Sequence, residues 1–540
     1  MQATTKKNLI ISACYAGTVV LGMLIGPKFH NESSNSKNGT FIPFLGGRAD
    51  KVEHVLNIIQ ENYVDPVRVD TLKDLAIAQI LKRLDPHSSY LPPDEAQHFS
   101  ENLDGNYYGI GVEYQILNDT VFVTAVHPEG PAYKAGIRPG DQVIKVADKV
   151  IAGTEITADR VVGLIKGRRG SEVKISLKRG AELKTVGVLR DKITISSLDA
   201  GYMMSDKVGY IKISRFGAHT DEDFILKGQQ LKKAGMQGLI LDLRGNGGGY
   251  LNAATGLADE FLPDKKLIVY TRGEHEPRTD YFATEKGIFE KGKLVVLIDE
   301  NSASASEILA GAIQDLDRGT IIGRRSFGKG LVQEQFNFGD GSALNLTVAR
   351  YFTPSGRSIQ KPYGEGSDKY FEEVTQRFKN GELAGRHADS ITDKHKTFKT
   401  SAGRPIYGGG GITPDVFVPI DTTAYNDLFF SLSAKGIITD FSYKHFGPEK
   451  SSGSLGEFLK EFVVSENDLG RFRAFALARK VEIDAKEFSH AKPAISLQIK
   501  ALMARYYFGE EGFYKVKNLS DKTVAKALEV LNKAQINDRP

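Results

Sequence analysis

The chain of 540 residues has a single cysteine, Cys14, and no tryptophan. One cysteine excludes an intrachain disulfide, a CxxC redox pair and a cysteine zinc site. His87 has no second histidine or cysteine at ligand spacing, so it reads as structural, and no metal is expected. A formal net charge of +4 is small for this length. There is no long basic stripe, so nucleic-acid binding is disfavoured. The one glycine-rich turn after an apolar strand lacks the G-x-x-x-x-G-K-[ST] spacing of a phosphate loop. No cofactor is expected. The remaining composition is that of a soluble globular chain, and the length suggests three or four domains.

One apolar run bears on membranes. Leu9–Gly26 follows Lys6 and Lys7 and resembles a signal peptide or a single anchor. No A-x-A-like cleavage site follows it, and Gly26-Pro27-Lys28-Phe29 is a poor substitute. Residues 1–26 are therefore expected to anchor the chain, with the positive flank inside and the rest on the exported, envelope or periplasmic side; cleavage would instead secrete it. Ile11-Ser12-Ala13-Cys14 superficially resembles a lipoprotein site, but too little apolar sequence precedes it. Residues 27–47, rich in Asn and Ser, read as a linker.

An N-terminal helical segment is expected over 48–100: Ala49–Arg83 has helical periodicity, with Val52, Val55, Leu56 and Ile59 on one face. Pro86 ends the second helix. From 101 to 190 short strands surround one helix, Ala158–Lys166. Tyr108-Gly109-Ile110-Gly111-Val112, then Ala135–Asp141 (AGIRPGD), look like the carboxylate loop and turn of a PDZ domain. In such domains a peptide adds as a strand and loop amides hold its terminal carboxylate. Residues 108–112 would form that nest; a small β domain that binds nothing has the same outline.

The core region, 191–420, carries the chemistry. An apolar strand, Leu239–Arg244, enters Gly245-Asn246-Gly247-Gly248-Gly249, which turns backbone amides into an anion-holding loop. Leu294–Ile298 reads as a buried strand. After it, Ser304 and Glu307 fit a capping box ahead of a helix with Ile308, Leu309, Ala312 and Ile313 on one face. Ser304 would thus sit at the positive end of a helix, with Ala305 N–H free to donate to an oxyanion. Serine needs a base. Lys329, between Gly328 and Gly330, serves if burial lowers its pKa from ~10.4 toward roughly 7–8. Gln333 is placed to hydrogen-bond the amine. Each piece also has a bland reading, since S-x-x-E often only caps a helix and a lysine among glycines is usually a solvated charge.

The ordered set LDPHSSYL (84–91), YGIGV (108–112), AGIRPGD (135–141), DLRGNGGG (242–249), NSASASEILAGAIQD (301–315), SFGKGLVQ (326–333), ARYFTPSGRSIQ (349–360) and GITPDV (411–416) resembles the C-terminal processing, or tail-specific, peptidases. The resemblance covers roughly residues 48–420. It implies an α/β fold, with a crotonase/ClpP-like peptidase core and a PDZ domain inserted beside it. By position it places the nucleophile on Ser304 rather than Ser302 or Ser306, and the general base on Lys329. It puts the lysine-orienting glutamine on Gln333 and the oxyanion amides on Ala305 and Gly247 or Gly248. One departure stands out. Where the family runs nearly directly, roughly fifty residues separate Gln360 from Gly411. That insert, about 362–408, includes His387 and His395 and reads as a surface flap, a partner site or an unstructured excursion.

Beyond 420 no motif appears. Leu455–Val464 and Val524–Ala534 have helical patterns, and 421–540 reads as a helical extension suited to a homodimer contact or to holding an adaptor protein. The resulting expectation is an exported serine endopeptidase that takes protein or peptide substrates by their free C-termini. Two alternatives remain: a catalytically silent PDZ-bearing envelope scaffold, and a crotonase-like acyl-CoA enzyme. The second leaves the PDZ segment without a purpose.

Overall fold

The computed structural model describes residues 51–117, 119–284, 287–385, 397–446 and 453–536. The expected anchor and linker, Cys14, His387 and His395 lie outside them. Among the described residues no helix is long and apolar enough to cross a membrane. The chain divides into residues 1–73 and 74–540. In the first unit the helix Lys51–Asn62 buries only Leu56.

In the second unit a six-stranded sheet runs in the order Leu198–Met203, Val208–Ile213, Gly238–Asp242, Lys293–Ile298, Thr320–Gly323, Val416–Phe417. The first pair is antiparallel and every later pair is parallel. Parallel strands covered on both faces read as continuous apolar runs, and Val208–Ile213 and Gly238–Asp242 are buried at every position. Successive side chains go to opposite faces. Ile211, Leu241, Val296 and Ile298 pack under the helices Leu251–Asp259 and Ala305–Asp315. Tyr210, Ile240, Val295 and Leu297 pack against Val524, Ala527 and Leu531 of the last helix, Lys522–Ile536.

A second sheet stacks beside this core. Its long strand, Ala343–Phe352, pairs with Leu331–Asn337, with Leu267–Arg272 and with Ser89–Leu91. Two expectations change here. Ser89–Leu91, expected to belong to an N-terminal helical segment over 48–100, is instead a strand of this sheet. The insert is not an unstructured excursion where it is described: it forms the helix Ser367–Lys379 and a hairpin of Thr397–Lys399 with Pro405–Tyr407. The last helix belongs to the expected helical extension, and its apolar stripe covers one face of the central sheet.

The PDZ-like sheet runs Val112–Ile116, Val121–Val126, Gln142–Val146, Glu172–Arg179, Glu182–Leu189. Asn106–Gly109 and Asp191–Thr194 pair with each other where the chain enters and leaves it. Residues 428–506 form a separate cluster of helices rich in Phe and Tyr.

Candidate active site

Ser304 ends the turn after the strand Lys293–Ile298 and is the N-cap of Ala305–Asp315, a helix buried along its whole length. Its backbone, at φ 54° and ψ −113°, lies where a residue with a Cβ is rarely found. Such conformations persist where the surroundings enforce them, often at active sites. The enforcing bonds are visible. Glu307 accepts from the Ser304 amide at 2.9 Å, and the Ser304 carbonyl accepts from Glu307 N at 2.8 Å. Ser304 and Glu307 form the outline of a capping box, but the Ser304 hydroxyl makes no cap hydrogen bond of ordinary geometry, which leaves Oγ for chemistry. Its neighbours are committed elsewhere. Ser302 Oγ donates to Leu243 O and Ser306 Oγ to Asn246 O, each at 2.9 Å, and both serines are fully buried.

The glycine loop lies directly against this turn. A Cβ on Gly248 (φ 105°) would come within 2.8 Å of Ser304 Cβ and of Ala303 O, so only glycine fits there. Asn246, fully buried, ties loop to turn: its carbonyl accepts from Ala303 N at 3.0 Å. Its side chain accepts from Gly248 N at 2.9 Å. Of the expected oxyanion donors, the Gly248 amide is therefore occupied. The amides of Gly247 and Ala305 have no acceptor among the described residues.

Lys329 reaches the same place from the far side. Glu307 Oε2 accepts from Lys329 N at 2.8 Å as well as from Ser304 N, while Oε1 takes Ser326 Oγ and Gly328 N. The Tyr351 hydroxyl lies between the carbonyls of Ser304 (3.1 Å) and Lys329 (2.5 Å). One carboxylate and one phenol thus set the spacing of the two loops. Burial pushes the Glu307 carboxyl up to about 6 despite its four donors. Burial also holds the Lys329 ammonium below the usual lysine range, against the opposing pull of Glu307 and Asp85. That is the direction a neutral-amine base requires.

Gln333 stands on the strand after Lys329. Its amide nitrogen donates to Thr347 Oγ1 at 3.1 Å, and Thr347 donates to Asp85 Oδ1 at 3.1 Å. The lysine is not the described partner of that nitrogen, and no hydrogen bond joins Ser304 Oγ to Lys329 Nζ among the described residues. Asp85 also accepts from the amides of His87 and Ser88 and from Ser88 Oγ. His87, half-buried, contacts Tyr370 at 2.9 Å; burial first, then Lys329, lower its pKa to about 4.

Ser304, Ala305, Gly247, Gly248, Lys329 and Gln333 line one cavity of about 590 Å3, closed on its apolar side by Phe99, Leu103, Leu251, Ile308 and Leu331. All six expected site residues of the core thus come together. Glu307, Tyr351, Asp85 and Asn246 were not singled out from the sequence as parts of the site. In the sequence Glu307 shows only as a helix cap, and Asp85 only as a neighbour of His87 in LDPHSSYL. Among the described residues no cluster suited to a metal ion is found.

The PDZ loop sits apart, and none of its residues lines that cavity. Tyr108 is exposed; Gly109, Ile110 and Gly111 are buried; Val112 starts the edge strand. The carbonyls of Ile110 and Gly111 accept from Ala132 N and His127 N, at 2.8 and 2.9 Å. Their amides have no described acceptor, the arrangement a carboxylate nest requires.

Residues 207–368 match Peptidase family S41, residues 122–179 match a PDZ domain, and residues 428–509 match a family of unknown function, DUF8443. A probable CtpA-like serine protease of Staphylococcus aureus (strain bovine RF122 / ET3-1) is 35% identical over 345 residues, 63% of this chain and 66% of that protein. Its namesake in Staphylococcus haemolyticus (strain JCSC1435) is 33% identical over 320 residues, 58% of this chain and 63% of that protein. The chain therefore spans just under two thirds of the length of these relatives. A solved photosystem II D1 C-terminal processing protease is 32% identical, with 57% of this chain and 83% of that one covered at a TM-score of 0.32. With the two domain matches side by side on one chain, the protein belongs to peptidase family S41 as a member bearing a PDZ domain.

Proposed function

We propose that the chain is a serine endopeptidase that cleaves through a Ser304–Lys329 dyad and recognises substrates by their free C-termini. The observation that carries this reading is the convergence of a hydroxyl with no capping bond, a partly desolvated lysine and two unclaimed amides on one cavity. Ser304 Oγ attacks the scissile carbonyl carbon and its proton passes to Lys329 Nζ. The Ala305 and Gly247 amides face the oxyanion. Collapse breaks the C–N bond, and the proton on Lys329 goes to the departing amine. Water, deprotonated by the same lysine, then attacks the acyl ester and frees Ser304. Gln333 keeps Nε2 on Thr347, which leaves Oε1 to accept from the lysine and orient it. The PDZ loop amides at 110–111 would hold the substrate's terminal carboxylate. The apolar run Leu9–Gly26 supports an exported, membrane-anchored enzyme.

The test uses a disordered substrate ending in an apolar free carboxylate, with products read by mass spectrometry. The parent is expected to cut it, and Ser304→Ala and Lys329→Ala to lose turnover while folding normally. Amidating the substrate's C-terminus is expected to raise KM. Turnover by the lysine variant at the parental rate would remove the dyad. Unchanged cleavage of the amidated substrate would remove the carboxylate role.

A further inference from the structure

The lysine loop is gripped on two edges. Its amides at Gly328 and Lys329 go to Glu307. Its carbonyls go to the helix Ser367–Lys379, in the stretch where this chain departs from its family. Arg377, 1% exposed, donates to the carbonyls of Arg325 (3.2 Å), Ser326 (2.8 Å) and Phe327 (3.4 Å). Its Nε donates to Glu373 at 2.7 Å, and Glu373 also takes Lys361 at 3.0 Å and Arg325 at 3.2 Å. Tyr370 donates to the Gly328 carbonyl at 3.5 Å and meets His87 Nε2 at 2.9 Å. The Tyr370 ring also stands edge-on to Phe327 and His87, with centroids 5.6 and 5.2 Å away.

A surface flap has no use for a fully buried guanidinium. Removing such a group from water is costly unless its hydrogen bonds are made, and here they are made to consecutive carbonyls of the segment that ends in Lys329. Arginine's rigid, planar fork suits that task, whereas a lysine ammonium is a single flexible point charge. Resting on the dyad reading above, we propose that the helix Ser367–Lys379 positions the general base, with Arg377 and Tyr370 fixing the 325–328 backbone so that Lys329 faces Ser304. These are positioning residues, acting through the lysine. The groups around that lysine are Glu307 from the serine helix, Asp85 and His87 from the 84–91 segment, Lys361 from the approach to the insert, and Tyr351 and Tyr370.

Arg377→Lys keeps the charge opposite Glu373 and loses the fork. Turnover per folded molecule is expected to fall about tenfold to a hundredfold, the cost of a displaced catalytic group, with KM within about twofold. Tyr370→Phe keeps the ring and loses the hydroxyl, for a fall in kcat of about two- to tenfold. Far-UV circular dichroism and thermal melting give the folded fraction. If turnover follows only that fraction, or is parental in either folded variant, the proposal is overturned. Should Arg377→Lys fail to fold, Tyr370→Phe decides. Lys329→Ala is run alongside. If it is inactive while Arg377→Lys turns over at the parental rate, the helix's role alone is lost; if it is active, the dyad reading is lost first.

Discussion

Glu307 takes four hydrogen bonds at full burial, two on each oxygen. Glutamine in its place offers one acceptor and turns an NH2 toward two donors. Glu307→Gln is expected to cost on the order of 2–4 kcal/mol, the range for stranded buried donors, and to lower kcat because both loops hang on this side chain. Its pH dependence has a definite sign. Because the folded-state pKa is raised from 4.5 to about 6, the carboxyl's contribution is fullest below pH 4.5 and falls as pH rises through 6. The melting-temperature gap between parent and variant is therefore expected to narrow between pH 4.5 and 7, by the equivalent of roughly 2 kcal/mol. A gap that widens would mean that the four donors outweigh burial. The sequence shows Ser304, Lys329 and Gln333 because they occupy strand-to-helix and glycine-flanked positions that spacing reveals. It shows Glu307 only as the fourth residue of a cap. The donors at 326–329 reach that carboxylate through folding, and no local pattern records it.

Among elements, the parallel strands were legible because burial on both faces leaves unbroken apolar runs. The second sheet was not. Leu267–Arg272 and Ala343–Phe352 are only partly covered, so polar residues interrupt their pattern, and three-residue Ser89–Leu91 is too short to show a period. The last helix illustrates a different limit: its stripe was visible at Val524–Ala534, but a stripe does not name its partner. That partner is the outer face of the central sheet. Leu531 is 3% exposed and lies over Gly238, where a Cβ would stand in ordinary contact with it at 3.6 Å. Leu531→Ala is expected to cost about 2–5 kcal/mol and to lower the melting temperature by roughly 5–10 °C. Val463→Ala, on a side chain 71% exposed, should shift it little. Equal shifts would mean that the helix is docked without contributing to the core. The same element also holds the end of the strand that enters the glycine loop, since Asp521, just before the helix, accepts from Arg244 at 2.7 Å.

At the scale of the whole molecule, the PDZ domain is held in two places. One is the strand pair Asn106–Gly109 with Asp191–Thr194. The other is the helical cluster at 428–506, where Phe122 stacks on Tyr443 with ring centroids 5.3 Å apart and Leu117 packs alongside. Part of the surface that the sequence offered to a dimer or an adaptor is therefore covered by the chain's own PDZ domain. An aromatic pair adds about 0.5–1.5 kcal/mol beyond its buried area, which corresponds to roughly two- to tenfold in an opening equilibrium. Phe122→Ala is accordingly expected to speed amide hydrogen exchange in 106–109 and 191–194 by about that factor, through more frequent local opening. The PDZ interior should stay protected, because Val121 and Val123 rather than Phe122 point into it. Exchange that rises throughout the PDZ domain would place Phe122 in its fold instead. Unchanged exchange at the strand pair would mean that the stack places no restraint on the domain, and that the paired strands alone set its position.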